Sequence, residues 1–156
     1  MIGYILIFLT VVIYGLTRRK ELVTAKLYQL KKIVYVKLSK RHKMLHKINN
    51  LRSYFPNAKE LVAGETITRL AHIRCLEMLN SGVISHSSAQ DEFEELVQLG
   101  AGKVGENIAF GYVSVDSAFK AWCNSEAHFN NMISKEWDFV GIGIEKNIYV
   151  ILFGKL

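Results

Sequence analysis

Four polar residues lie beside the boundaries of predicted elements and could carry chemistry: His86, Glu106, Glu126 and His128. Neutral imidazoles can coordinate a divalent ion, and a carboxylate can complete its ligand shell or take a proton from bound water. Neither H-E-x-x-H nor C-x-x-C occurs in the sequence, and a catalytic zinc usually has three protein ligands. The residue types alone therefore leave two interpretations open: a metal site, or histidines that pack and hydrogen-bond at loop ends.

Two helices are predicted around His86. Ser87-Ser88-Ala89-Gln90 has the form of a capping box and predicts an acidic helix that runs to Leu99 and ends at Gly100. His86 would lie just ahead of that helix. Upstream, a run of apolar residues at helical spacing predicts a core helix that Gly82 ends. Its apolar face consists of Ile67, Leu70, Ala71, Cys75, Met78 and Leu79.

The elements around the other candidates are shorter. Ser114 is predicted to cap a helix that runs through Trp122, and Ser125 to cap a short turn that contains His128. Residues 139–144 and 148–153 are β-rich runs that predict a hairpin. Helices followed by strands predict an α+β fold in which helices pack on a small antiparallel sheet.

The two parts of the chain carry opposite charge. Up to Glu60 there are 13 Lys and Arg against two acids, whereas the remainder has 7 against 12. Basic, aromatic-containing arms bind nucleic acid or anionic lipid through charge. The acidic second part argues against nucleic acid as the partner of a globular domain there.

Residues 1–17 contain no charged side chain and predict a transmembrane anchor, with a buried core helix as the alternative. Residues 18–41 are basic and carry Leu27, Leu30 and Val34 at helical spacing. They predict a juxtamembrane helix that lies on anionic lipid headgroups or stands as a solvated stalk. Residues 33–36 also allow a short strand. Residues 42–156 are predicted to form the globular domain.

The two cysteines, Cys75 and Cys123, lie within helical apolar patterns. A free thiol in such a position packs as a small hydrophobic group. Two cysteines are no disulfide framework, but the sequence leaves a single bridge between them open. Cysteine content therefore does not decide the redox compartment.

Four short motifs follow one another in the chain, at residues 84–87, 105–109, 122–128 and 140–144, and together they resemble those of the CAP (SCP-like) family. The family segments are F-S-H, G-E-N-I-A, the bacterial form W-x-N-S-P-G-H, and the strand V-G-V-G. Their counterparts here are Ile84-Ser85-His86-Ser87, Gly105-Glu106-Asn107-Ile108-Ala109, Trp122-Cys123-Asn124-Ser125-Glu126-Ala127-His128 and Val140-Gly141-Ile142-Gly143-Ile144.

The resemblance implies an α-β-α sandwich with a cleft in which two histidines and two acids face each other. In several members the histidines bind zinc, and His86 and His128 carry over as these metal ligands. Glu106 carries over as the acid of the G-E-N motif. Glu126 is the candidate for the second acid, although it stands where short bacterial forms have proline.

Together these features predict a membrane-anchored CAP-like domain whose His/Glu cleft binds zinc or another divalent ion and a lipid, peptide or glycan-like ligand. One alternative is a metal-dependent, peptidase-like hydrolase with Glu106 and Glu126 as catalytic residues. Another is a structural component of a membrane or envelope assembly with a vestigial cleft. Most members of the family work outside the cytosol, whereas the basic residues after the anchor favour the cytosolic side, so the compartment stays open.

Overall fold

The computed structural model describes the backbone of residues 2–155 and the side chains of residues 17–37 and 39–155. The predicted anchor at residues 1–17 lies, except for Thr17, outside the described side chains. In the described part of the chain, no helix is long and apolar enough to cross a bilayer. The chain divides into two compact units, with the boundary between Leu38 and Ser39.

The first unit is helical. Helix α1 spans Ile2–Arg52, and its basic segment exposes the side chains of Leu27, Leu30 and Val34 by about half. The helix predicted for this segment is confirmed, and the short strand considered for residues 33–36 is wrong. That run of β-branched and aromatic residues is only four residues long and is flanked by Lys, Leu and Gln, which favour helix.

The second unit contains a four-stranded sheet in the order β1-β3-β4-β2. Strand β4 is antiparallel to both of its neighbours, and the predicted hairpin of β3 and β4 is confirmed. The sheet as a whole is mixed, because β1 pairs with β3 in parallel. The prediction of a purely antiparallel sheet missed this edge, since a strand of two residues shows no periodicity. The strands are β1 (Val62–Ala63), β2 (Lys103–Phe110), β3 (Phe139–Glu145) and β4 (Ile148–Lys155).

Four more helices complete the second unit: α2 (Glu65–Ser81), α3 (Gln90–Gln98), α4 (Val115–Cys123) and α5 (Glu126–Ile133). Gly82 ends α2 in a left-handed conformation (φ 71°), and Ser114 forms a capping box with Ser117. Both ends were predicted. Ser125 precedes α5 but donates and accepts no capping bond through its side chain, and the predicted short turn is a helix of eight residues.

The capping box predicted at Ser87 is wrong, because α3 begins three residues later, at Gln90. The Ser87 N–H donates to the Ser85 hydroxyl, and the two hydroxyl groups bond to each other at 2.6 Å. The Ser88 hydroxyl accepts from Arg74. The serine side chains are therefore committed to the loop and to α2 rather than to the start of α3.

Helices cover both faces of the sheet, as an α-β-α sandwich requires. Strand β4 shows this directly, since alternate residues enter opposite apolar clusters. Tyr149, Ile151 and Phe153 join the cluster under α1, α4 and α5, which includes Met44, Ile48, Trp122 and Met132. Ile148, Val150 and Leu152 join the cluster under α2 and α3, which includes Ile67, Leu70, Cys75 and Leu96.

Both cysteines are free thiols. Cys75 is fully buried in the cluster under α2, and burial raises the pKa of its thiol to about 12. Cys123 packs against the opposite cluster. Because the sheet lies between them, the bridge that the sequence left open is not formed.

Arg52, at the end of α1, is completely buried. Its guanidinium donates to four backbone carbonyls, of which three lie between the end of α5 and the start of β3 and one lies in the loop after α1. The acceptors belong to Lys59, Met132, Ser134 and Trp137. These bonds compensate the burial of the charge and hold α5 in place on the domain.

Helix α2 lies directly on the backbone of β3 at Gly141 and Gly143. A Cβ added at Gly141 would lie 2.1 Å from the carbonyl oxygen of Ile67, and one at Gly143 would lie 2.0 Å from that of Ala71. No side chain fits between the helix and the strand at these points. Two residues of the V-G-I-G motif are therefore glycine for reasons of packing.

We expect Gly141→Ala to lower the free energy of unfolding by about 1–3 kcal/mol, because α2 must move away from the sheet. Urea denaturation followed by circular dichroism measures this loss. The matched control is Gly102→Ala, where a new Cβ would meet nothing within 4 Å. Equal stability of Gly141→Ala and the wild type would show that α2 does not pack as closely as described.

Candidate functional site

His86 and Glu106 form a hydrogen-bonded pair. His86 lies in the loop between α2 and α3, Glu106 lies within β2, and Nδ1 of the histidine is 2.7 Å from Oε2 of the glutamate. The Glu106 side chain is 2% exposed, whereas that of His86 is 60% exposed. An ionised carboxylate can only accept, so Nδ1 carries the proton, and in the neutral imidazole Nε2 is then an acceptor. The pair therefore presents an oriented imidazole at the surface.

Arg74 supports this pair from beneath. It lies on α2, is completely buried, and donates from Nε to Oε1 of Glu106 at 3.2 Å. Its terminal nitrogens donate to Glu77 at 2.7 Å and to the Ser85 carbonyl at 2.8 Å, and also to the carbonyl and hydroxyl of Ser88. One guanidinium thus fixes the acid and the loop that carries His86.

Arg74 was not among the residues predicted from the sequence. A signal was present, because Arg74 falls between Leu70, Ala71 and Met78 on the apolar face of α2. A charged residue within such a face must be paired when the face is buried. Its partners are distant in sequence and could not be identified from periodicity.

Glu92 is a second buried acid beside Arg74. Its side chain is 3% exposed, and its Oε2 lies 4.0 Å from Nε of Arg74. Burial raises the pKa of Glu92, and the neighbouring carboxylate of Glu77 raises it further. Among the described residues, no hydrogen-bond donor reaches Oε2 of Glu92. Protonation of this acid is therefore more favourable in the folded domain than in the unfolded chain.

His128 lies in the first turn of α5, next to β2. Two asparagines join these elements: Asn107 donates to the His128 carbonyl at 3.0 Å, and Asn131 donates to the Glu106 carbonyl at 3.2 Å. Burial lowers the pKa of His128, and the nearby imidazole of His86 lowers it further when that imidazole carries a charge. The two imidazoles therefore lie within electrostatic range, and the neutral form of His128 is favoured.

The structure pairs His86 with Glu106 and places His128 within electrostatic range of His86, but it leaves Glu126 outside their contacts. Glu126 is exposed at the start of α5. Within the described part of the chain, no hydrogen bond or ion pair joins it to the other three residues. Its assignment as the second acid stays a prediction without a contact that supports it.

The fit of these residues to a metal ion is limited. In residues 17–37 and 39–155, no three or more His, Cys, Asp or Glu side chains are grouped so that they could hold one. Both oxygens of Glu106 are engaged, one by Arg74 and one by His86. The donor set therefore does not match a three-ligand zinc centre. Zinc bound by His86 and His128 alone stays a prediction.

An open groove of about 570 Å³ runs along α3 from His86. Residues at helical spacing form two parallel stripes within it. Ala89, Phe93 and Val97 make an apolar stripe, and the second stripe is polar. The second stripe consists of Gln90, Glu94 and Gln98. The exposed imidazole of His86 lies at one end of the groove.

The sequence model of the cysteine-rich secretory protein family, CAP, matches residues 45–150. The chain is similar to two proteins of Bacillus subtilis, at 26% identity in each case. The uncharacterized membrane protein YlbC aligns over 91% of this chain, and the uncharacterized protein YkwD over 68%. The chain spans 42% and 43% of the length of these relatives.

Solved structures show the same fold. An extracellular SCP-domain protein of Bacillus anthracis superposes with a TM-score of 0.72, at 22% identity, over 78% of this chain and 42% of its own. An outer surface protein of Borrelia burgdorferi gives 0.68, at 22% identity, over 75% and 92%. A cysteine-rich secretory protein of Staphylococcus aureus gives 0.68, at 16% identity, over 77% and 39%.

Glu92→Gln is expected to stabilise the domain increasingly as the pH rises. A pKa raised by folding stabilises the domain below the pKa of the unfolded chain, and this stabilisation is lost as pH rises through the folded value. Glutamine mimics the protonated acid and cannot ionise, so the variant does not lose this stability as the pH rises. Thermal unfolding between pH 4 and 8 measures the difference, with Glu94→Gln as the exposed control on the same helix. A constant difference from wild type across this range would contradict the assignment.

Proposed function

Because the chain belongs to the CAP family of cysteine-rich secretory proteins, we propose that its second unit is a ligand-binding module held at a membrane by the apolar N-terminal segment. The observation that carries this proposal is the His86–Glu106 pair. A buried acid that orients an exposed imidazole at the end of a groove is an arrangement that can recognise a ligand. His128 lies beside it as a neutral, half-buried imidazole.

The groove supports a peptide as the ligand, among the lipid, peptide and glycan-like classes that the sequence left open. Its apolar stripe, with Phe93 and Val97, can contact an apolar side chain. Gln90 and Gln98 can pair with backbone amides, and His86 can accept from an N–H group. Helix α3 carries four acids and no base. This charge disfavours anionic headgroups and favours a peptide that also contains lysine or arginine.

The similar proteins support a location at the outer face of a membrane. One relative is named a membrane protein, and two of the structural neighbours are named extracellular or outer surface proteins. The uncharged stretch at residues 1–17 supplies a candidate anchor in the sequence. The basic residues that follow it argue for the opposite side, so the orientation needs a direct test.

A second function, hydrolysis of a peptide, is favoured by one observation. Glu106 orients His86 so that Nε2 can act as a general base toward water or a substrate hydroxyl. Loss of turnover of a peptide panel in Glu106→Gln would support hydrolysis. Turnover that is unchanged in this variant would exclude Glu106 from such a role.

We expect His86→Ala and Glu106→Gln to weaken peptide binding by about 3–10-fold, the equivalent of one lost hydrogen bond. Glu126→Gln is the matched control and should bind like wild type, since Glu126 lies outside the cleft contacts. Fluorescence anisotropy of the full chain in detergent measures the affinity for a short peptide that alternates lysine and leucine. A peptide that alternates glutamate and leucine should bind more weakly. Equal binding of both peptides, or an affinity that is unchanged in His86→Ala, would overturn the assignment of the cleft.

Protease protection checks the side of the membrane. If the second unit faces outward, protease added to intact cells should digest residues 39–156, and a cytosolic control protein should stay intact. Protection of this unit until the cells are lysed would place it in the cytosol and contradict the proposal.

A further inference from the structure

We propose that Arg74 is the fixed cation of this cleft and takes the place on Glu106 that a divalent metal ion would need, so that the cleft functions without a metal. The inference deepens the proposed function and concerns the same cleft. It rests on the contacts of Arg74 and not on the identity of the ligand.

Both oxygens of the Glu106 carboxylate are already engaged. Oε1 of Glu106 accepts from Nε of Arg74 at 3.2 Å, and Oε2 accepts from His86 at 2.7 Å. A metal ion bound to Oε1 would lie within a few ångströms of the positively charged guanidinium. At that distance the two positive charges repel each other. The side chain best placed to complete a histidine site is therefore already neutralised.

Arg74 is fixed in its position by burial and by its hydrogen bonds. Its side chain has no exposed surface. A guanidinium stays charged at any physiological pH and has five N–H donors. Its other donors hold Glu77, Ser85 and Ser88. Moving Arg74 aside for a metal would break these bonds and leave a buried charge unpaired.

Removal of Arg74 would leave several acidic side chains close to one another. Three carboxylates surround its guanidinium, those of Glu77, Glu92 and Glu106. His86 adjoins them through Glu106. Among the described residues these side chains do not form a three-ligand site. Without the guanidinium, however, their oxygen and nitrogen donors would no longer face a fixed positive charge that repels a divalent ion. Removal of Arg74 should therefore raise the affinity of Glu106 and its neighbours for a divalent ion above that of the wild type.

Zinc titration of the full chain in detergent tests the inference. After treatment with a chelator and buffer exchange, the wild type should not compete for Zn²⁺ with a chromophoric indicator of micromolar affinity. Its affinity for the lysine-leucine peptide should be the same with a chelator and with added Zn²⁺. Stoichiometric zinc uptake by the wild type that is lost in His86→Ala/His128→Ala would overturn the inference.

Arg74→Gln should gain affinity for Zn²⁺ by about tenfold or more, and Glu106→Gln added to it should remove the gain. No gain in a folded Arg74→Gln variant, checked by near-UV circular dichroism, would contradict the role of the guanidinium. If Arg74→Gln does not fold, the wild-type titration decides alone. Failure of the peptide to bind would refute the proposed ligand and leave the zinc result valid, so the two outcomes are separate.

Discussion

The close contact between helix α2 and strand β3 determines where the charged groups of the cleft meet. Gly141 and Gly143 leave no side chain between the two backbones, so α2 lies against the sheet itself. At this depth Arg74 reaches Glu106 on β2 from below, and the same guanidinium reaches the loop that carries His86. A wider separation of α2 from the sheet would lengthen these bonds together, because a single planar guanidinium makes all of them.

Burial of several charges in a small domain is unfavourable unless each is paired. The domain meets this requirement in two places with arginine. Arg52 bonds to backbone carbonyls and ties the end of α1 to the segment after α5, while Arg74 bonds to carboxylates and to the loop before α3. Arginine suits both positions because its planar group donates in several directions at once. The first arginine holds the helix that carries His128, and the second holds the acid that orients His86.

The cleft keeps part of the arrangement that its family resemblance implies and departs from the rest. Two histidines and the acid of the G-E-N motif come together, but Glu126 remains at the surface as an exposed residue. A different acid, Glu92, lies buried next to Arg74 with its pKa raised. Arg74 pairs with Glu106, the raised pKa of Glu92 reduces the tendency of that acid to ionise, and the imidazole of His86 stays exposed at the surface.

The sequence by itself determined the elements that depend on near neighbours along the chain. The core helix that ends at Gly82, the capping box of Ser114 and the hairpin of β3 and β4 were all predictable, because caps, turns and periodicity act over a few residues. The motifs around His86 and Glu106 likewise pointed to two residues that the structure pairs by a hydrogen bond, and a third motif pointed to His128, which lies within electrostatic range of His86. In these cases the chemical signal and the structural signal lie within the same short segment.

Only the tertiary structure decided the start of α3, the parallel strand β1 and the partners of the buried acids. The serines before α3 bond to one another and to Arg74 instead of capping the helix, and β1 is too short to show a pattern. Arg74 and Glu106 lie 32 positions apart in the chain. Their pairing arises from the packing of a helix against a sheet. Local propensity and periodicity act over a few residues and do not predict a contact across that separation.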